Sequence, residues 1–143
     1  MTRIFKASKY LLAFTLAFSA GMAAAQDFPN HAIRIVVPYA PGGGTDILSR
    51  ILAPKVGQIL GQAIIIENKP GASTMLGTTQ VVRSAPDGYT LVAADSTILI
   101  NPGLYKSKLP YDTLKSLEGV TMMATAPVIL LVNPGVPAKN LAE

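Results

Sequence analysis

Residues 33–52 read IRIVVPYAPGGGTDILSRIL, an apolar run that enters a triple-glycine turn and leaves it as an amphipathic segment. The run Ile33 to Val37 has no polar alternation beyond Arg34, as expected of a parallel strand covered on both faces. Gly42, Gly43 and Gly44 supply the tight turn, and a helix is expected to open at Thr45 or Asp46 and to run to Leu60. A helix start at the end of a strand presents unpaired N–H groups and the positive end of the helix dipole, an arrangement that suits an anion.

Residues 63–77, AIIIENKPGASTMLG, repeat the plan with a strand over Ile64 to Glu67, a Pro-Gly turn, and a helix over Thr74 to Ser84. The turn signal Pro86-Asp87-Gly88 precedes a third strand over Thr90 to Ala94. Asp95-Ser96-Thr97 then caps a short helix reaching Leu104. A helical turn near Leu114 is followed by two further apolar strands, Gly119 to Thr125 and Val128 to Val132. Alternation of strands and helices predicts an α/β fold with a mostly parallel sheet flanked by helices. Within the first helix, Ile47, Leu48, Ile51, Leu52, Val56, Ile59 and Leu60 form the apolar stripe, with Ser49, Arg50 and Lys55 off it. Pro54 should kink or weaken that helix, and Gly57 and Gly61 should loosen its end.

The two ends of the chain read differently. Arg3, Lys6 and Lys9 precede the apolar stretch Leu11 to Met22, and Ala23-Ala24-Ala25 supplies a small-residue cleavage site, so residues 1–25 are expected to be a secretory signal peptide. NPGVPAKNLAE, residues 133–143, reads as a strand exit, a turn and the first residues of a helix near Pro137 that is then cut off, which points to the first portion of a longer protein.

Composition narrows the chemistry. The whole chain carries 12 basic and 8 acidic residues, and losing three basic ones with the signal leaves nine against eight, so no nucleic-acid footprint remains. The chain has no cysteine and one histidine, His31, which is expected at the surface; disulfides, thiolate ligands and a His-based metal site are not expected. No Ser-His-Asp set can be assembled. The glycine turn lacks the Gly-Lys-Ser/Thr of a phosphate loop, and Ile47 stands where a dinucleotide fingerprint needs its third glycine, although Glu67 sits about twenty residues on. The glycines taken alone serve a tight connection as readily as a ligand. Asp46 can complement the helix dipole or accept hydrogen bonds from a ligand or a bridging water, and Ser73 and Thr74 can be a plain N-cap pair or line the same sheet edge.

PYAPGGGTDILSRIL, GQAIIIENKPGAS and APDGYTLVAAD, in that order, closely resemble the periplasmic solute receptors of the tripartite tricarboxylate transporter family, also called Bug receptors. The likeness continues through YDTLKSLEGV and LLVNPGVPAKNLAE. It implies a two-lobed periplasmic binding protein of type II, with residues 26–132 as an incomplete first lobe and 133–143 as the start of a crossover toward a second lobe lacking from this chain. It also implies a monomeric, non-enzymatic protein without cofactor, holding a small organic carboxylate for the membrane subunits of a tripartite transporter. The ligand loops carried across are Tyr39, Ala40, Gly42, Gly43, Gly44, Thr45 and Asp46 after the first strand, and Gly71, Ala72, Ser73 and Thr74 after the second. Asp95, Ser96 and Thr97, at the end of the third strand, are expected to line the same cleft. Ser73 and Thr74 replace a glycine pair of the family pattern, and Asp112-Thr113 and Ser116-Leu117 replace its Asp-Pro and Asp-Phe. An exported enzyme with a nucleotide-binding lobe and a ligand-sensing partner of a signalling receptor are the competing readings.

Overall fold

The computed structural model describes residues 27–137, 140 and 141. The signal-peptide segment lies outside the described residues, as does most of the expected last helix. The described elements are β1 (Ile33–Val37), α1 (Gly44–Leu60), β2 (Ile64–Asn68), α2 (Met75–Val82), β3 (Thr90–Val92), α3 (Thr97–Tyr105), a 3₁₀ turn (Lys106–Lys108) and α4 (Thr113–Ser116). None of these helices is long and apolar enough to cross a membrane.

The sheet has strand order β2-β1-β3, with both pairings parallel. Ile33 lies opposite Ile64 and Val37 opposite Asn68, while Ile35 faces Leu91 on the other side. Parallel neighbours need crossover connections, and here these are α1 and α2. Asp46 of α1 receives a hydrogen bond from Asn68, whereas Gln80 of α2 donates to Glu67. Successive strand residues point to opposite faces, so the two helices cover opposite sides of the sheet. Val36 and Val37, fully buried between them, are the centre of a small core with Ile33, Ala53 and Ala93. Gly77 lets α2 approach closely, because a methyl there would come within 2.9 Å of Pro38 Cβ and of the Lys69 carbonyl.

The face that α1 turns inward is not centred on the apolar stripe read from the sequence, of which Leu48 and Leu52 are half-buried and the rest exposed. Asp46, Ser49 and Ala53 are its buried residues, while Ile47, Ile51 and Ile59 are 50%, 67% and 71% exposed. Steric room decides this. A Cβ on Gly57, the next position on that face, would lie 2.9 Å from the Gln62 carbonyl and 3.6 Å from Ile64, so small residues allow a contact distance the isoleucines could not. The buried Ser49 hydroxyl is satisfied by the Thr45 carbonyl at 2.7 Å. The helix runs unbroken through Pro54 and ends at Gly61, whose φ of 68° is the left-handed cap glycine favours.

The two apolar strands expected after α4 are absent among the described residues. From Gly119 to Val132 no element forms, and Val128 and Leu131 are 100% and 83% exposed. A strand is defined by its hydrogen-bonded neighbour, and this segment pairs with neither outer strand of the sheet. At the other end, the chain is pinned by Tyr89: its ring stacks on His31 at 3.5 Å and meets Phe28 edge-on at 5.0 Å, and its hydroxyl accepts from the Asn30 amide. His31 is therefore exposed, as expected, but not loose.

Candidate ligand cleft at the strand ends

Parallel strands carry the loops after β1, β2 and β3 to one end of the sheet, the end where open α/β folds bind ligands. Asp46 organises the first loop. Its Oδ2 accepts from the Gly42 amide at 2.8 Å, and its Oδ1 accepts from Arg50 Nε at 3.0 Å and Asn68 Nδ2 at 2.8 Å. Gly43, the residue that caps α1, has no side chain with which to cap, and the carboxylate within the first turn serves the preceding amide instead. Arg50 foremost, then the Gly42 amide and Asn68, hold the Asp46 carboxyl down from 3.8 to about 2. With its side chain only 3% exposed, Asp46 holds the loop together from beneath.

Asn68 links the first loop to the second strand. Besides Asp46 it reaches the Tyr39 carbonyl through Nδ2 at 3.2 Å, and its Oδ1 accepts from Arg50 Nη2 at 2.7 Å. Tyr39 in turn links the first loop to the third, donating its hydroxyl to Asp95 Oδ1 at 2.6 Å. Asp95 also accepts from the Thr97 amide, the first of α3, at 2.8 Å, whereas Ser96, the N-cap residue, makes no side-chain capping bond. Burial pushes the Asp95 carboxyl upward, but the hydrogen bonds from Thr97 and Tyr39 outweigh it and the net shift is downward. Burial and the Asp95 partner both raise the Tyr39 hydroxyl above its ordinary value.

The second loop holds an unusual backbone. After Gly71, the residues Ala72, Ser73 and Thr74 adopt φ values of 46°, 52° and 73°, three successive left-handed residues with side chains. Thr74 does not cap α2 with its hydroxyl. That oxygen and the Ser73 carbonyl accept instead from Asn101 Nδ2 of α3, at 3.2 and 2.8 Å. The three loops thus form one bonded assembly, in which the Gly42–Asp46 pair is linked through Asn68 to Tyr39, Tyr39 is bonded to Asp95 and Asp95 to Thr97, and Ser73 and Thr74 are tied to α3. Ala40 accepts from the Gly43 amide at 3.3 Å, and Ser96 accepts from Leu99 and Ile100. Asn68, Arg50 and Asn101 were not among the residues singled out from the sequence. Each acts on a partner distant in sequence or on a helix neighbour, and only the Asn at the end of an apolar strand offered any signal.

The glycines separate by role. Gly42 needs its φ of 84° to make the turn, whereas nothing lies within 4 Å of where a Cβ on Gly44 would stand. Neither strain nor packing within the described residues therefore requires a glycine at Gly44. The first amides of α1 have no carbonyl one turn earlier to accept them. Glu67, the acidic residue a dinucleotide reading would place on a ribose, instead pairs with Arg34 at 3.5 Å and accepts from Gln80 on the opposite face of the sheet from Asp46. Among the described residues, no group of His, Asp and Glu is gathered closely enough to hold a metal ion. A groove of about 590 Å³ between α1 and β2 is lined by Arg50, Pro54, Gly57, Ile64 and Ile66, none of them a residue of these loops.

A parallel sheet covered by helices on both faces, with three bonded loops at its carboxyl end, defines an open α/β fold. Residues 48–143 match the model of the tripartite tricarboxylate transporter family receptor, and the chain belongs to that family. It is 36% identical over 127 residues to the protein BugT of Bordetella pertussis, covering 86% of this chain and 39% of that protein. The chain thus spans less than half the length of that relative. Among solved structures it is similar to the periplasmic binding protein BugD, at 39% identity and a TM-score of 0.59 over 62% of this chain and 29% of that one. A Rhodopseudomonas palustris protein solved with adipate (31% identity, TM-score 0.57) shares 62% of this chain and 29% of its own. MatC from the same organism, with bound malate, matches at 35% identity and a TM-score of 0.53, over 62% of this chain and 30% of its own.

Proposed function

We propose that residues 26–132 form the first ligand-binding lobe of a periplasmic receptor that captures a small organic carboxylate and delivers it to the membrane subunits of a tripartite transporter. Residues 1–25 serve as its cleaved export signal, and residues 133–143 begin the crossover to a second lobe that closes over the ligand about a hinge. The observation that carries this reading is Gly44, a glycine at a helix start that no contact or positive φ among the described residues demands. Its value is the access it leaves to the amides of the first turn, where an anion is favoured.

No lysine or arginine stands in residues 39–46 or 71–74, so an anion would be held by backbone amides and by the hydroxyls of Thr45, Ser73 and Thr97. Each charge-assisted hydrogen bond contributes about 1.5–3 kcal/mol, and micromolar affinity needs about 8 kcal/mol. Several such bonds from two lobes reach that figure after the losses of association. A compact di- or tricarboxylate, or an amino acid, presents enough acceptors in a small volume, and a long fatty acid does not. Adipate and malate, found in the two R. palustris neighbours, are of this kind.

Calorimetry on this chain joined to the remaining length of a relative, against di- and tricarboxylates, aromatic acids, amino acids and nucleotides, tests the reading. Heat on adding small carboxylates is the expected result. Preference for a nucleotide, or no heat with any acid, would overturn it.

A further inference from the structure

The second loop is held in a conformation its residues do not favour, and one distant side chain holds it. A left-handed backbone is disfavoured for residues with a Cβ by about 1–2 kcal/mol each, and a β-branched residue there is a true outlier. Ala72, Ser73 and Thr74 all adopt it. Within the turn the supporting bonds are few: the Met75 amide donates to the Ala72 carbonyl at 3.1 Å and the Leu76 amide to Gly71 at 3.5 Å. The Ala72 and Ser73 amides donate to no carbonyl among the described residues.

Asn101 supplies the remaining support. It is 0% exposed, and its Nδ2 donates to the Ser73 carbonyl at 2.8 Å and to Thr74 Oγ1 at 3.2 Å. Its Oδ1 is buried without a partner among the described residues. An unpaired buried carbonyl costs about 1–3 kcal/mol, so an apolar side chain of similar size would fill the space better. Filling space therefore does not account for an asparagine. Its donor does, because two acceptors of the strained turn meet there.

We propose that Asn101 is a positioning residue for the ligand loop: from α3 it locks Ala72, Ser73 and Thr74 in the left-handed turn and so fixes the amides that this loop offers to a ligand. This rests on the carboxylate-binding reading above for the ligand's part in it, but the conformational claim stands on the turn alone.

The test is a double-mutant cycle on the chain itself, crossing Asn101→Leu with the pair Ser73→Gly and Thr74→Gly. Glycine enters the left-handed region without support. Asn101→Leu should lower the folding equilibrium constant about tenfold with the native turn and less than about threefold with the glycine pair, as coupling between partners demands. The HN–Hα couplings of residues 72–74 should leave their left-handed values in Asn101→Leu. An equal loss in both backgrounds, or unchanged couplings, would overturn the proposal and make Asn101 a packing residue. Should Asn101→Leu fail to fold with the native turn, recovery by the glycine pair supports the lock, and failure in both backgrounds refutes it. None of these measurements needs a ligand, so absence of carboxylate binding would sink the binding reading while leaving the lock by Asn101 standing or falling on its own data.

Discussion

Asn68 donates Nδ2 to Asp46 Oδ1 at 2.8 Å, joining the last residue of β2 to the first turn of α1. The pair stands where the strand-end loops meet, and Arg50 bonds both members, to Asp46 at 3.0 Å and to Asn68 at 2.7 Å. A buried carboxylate is tolerable only when its oxygens are bonded, and here every donor belongs to the frame of the loop. The loop after β1 is thus set by its neighbours within the fold.

The pH dependence of stability should show this arrangement. The Asp46 carboxyl is lowered from 3.8 to about 2 in the folded protein, with the Arg50 hydrogen bond as the main cause. A depressed carboxylate adds stability in full above its unfolded value and loses it as pH falls through the folded one, so the loss should run from about pH 4 down toward pH 2. The Asp95 carboxyl is shifted in the same direction and adds to it. Thermal midpoints of the wild type should fall over that range more steeply than those of Asp46→Asn. Parallel curves would show that Asp46 is not the group responsible.

Tyr39→Phe should loosen the bond between the first and third loops. Losing the 2.6 Å hydrogen bond to Asp95 should destabilise the chain by about 0.5–1.5 kcal/mol in denaturant unfolding. The Tyr39 hydroxyl is raised in the fold, so the stability it contributes is present below its ordinary value of 10.0 and lost as pH climbs through the folded value. The substitution should therefore also flatten the alkaline limb of the stability curve. An unchanged alkaline limb would mean that Tyr39 is not the titrating group.

Two glycines of one turn should respond in opposite ways. Gly42→Ala forces a side chain into φ 84° and should destabilise by about 1–2 kcal/mol. Gly44→Ala meets open space and should leave stability unchanged, or raise it by up to about 1 kcal/mol. Under the proposed function, Gly44→Ala should nonetheless weaken carboxylate binding, because it adds a methyl at the first residue of α1, and a helical Cβ tilts toward the helix N-terminus. Full affinity in a stable Gly44→Ala protein would remove this loop from the site.

The sequence carried the strand and turn scaffold well and the long-range side-chain contacts poorly. Ile33 to Val37 is the observed β1 residue for residue, and the α1 start falls within two residues of expectation, because apolar runs and glycine turns are local signals. The buried face of α1 is formed by Asp46, Ser49 and Ala53, which are small or polar, and hydrophobic periodicity is blind to a face chosen for closeness. Val128 to Val132 has strand composition, but composition does not supply a neighbouring strand. Asn101 meets Ser73 across 28 positions, which leaves no local trace. The replacement of a family glycine pair by Ser73 and Thr74 was the one hint that the second loop bears strain.

Export should be visible at the amino terminus. Arg3, Lys6 and Lys9, the apolar stretch after them and Ala23-Ala24-Ala25 motivate cleavage after Ala25. Amino-terminal sequencing of protein recovered from the periplasm should begin at Gln26. Mature protein that still carries Met1 in the membrane fraction would reject the signal-peptide reading.

The outer face of α1 and the segment after α4 should make this chain sticky in isolation. Ile51 and Ile59 stand 67% and 71% exposed on α1, and Val128 to Val132 presents consecutive apolar side chains to solvent. The sheet also ends in two strands that have no outer neighbour among the described residues, and open edges invite pairing with other chains. Exposed apolar surface on this scale binds apolar dyes and drives association. The purified chain should therefore bind such a dye strongly and associate as its concentration rises. Ile51→Lys and Leu131→Lys should each reduce both effects while changing stability by no more than about 0.5 kcal/mol, since neither side chain is buried. Ala53→Lys, on the inward face of the same helix, should unfold the lobe and increase dye binding. A monomeric wild type that melts sharply and binds no dye would show that these side chains are covered in solution.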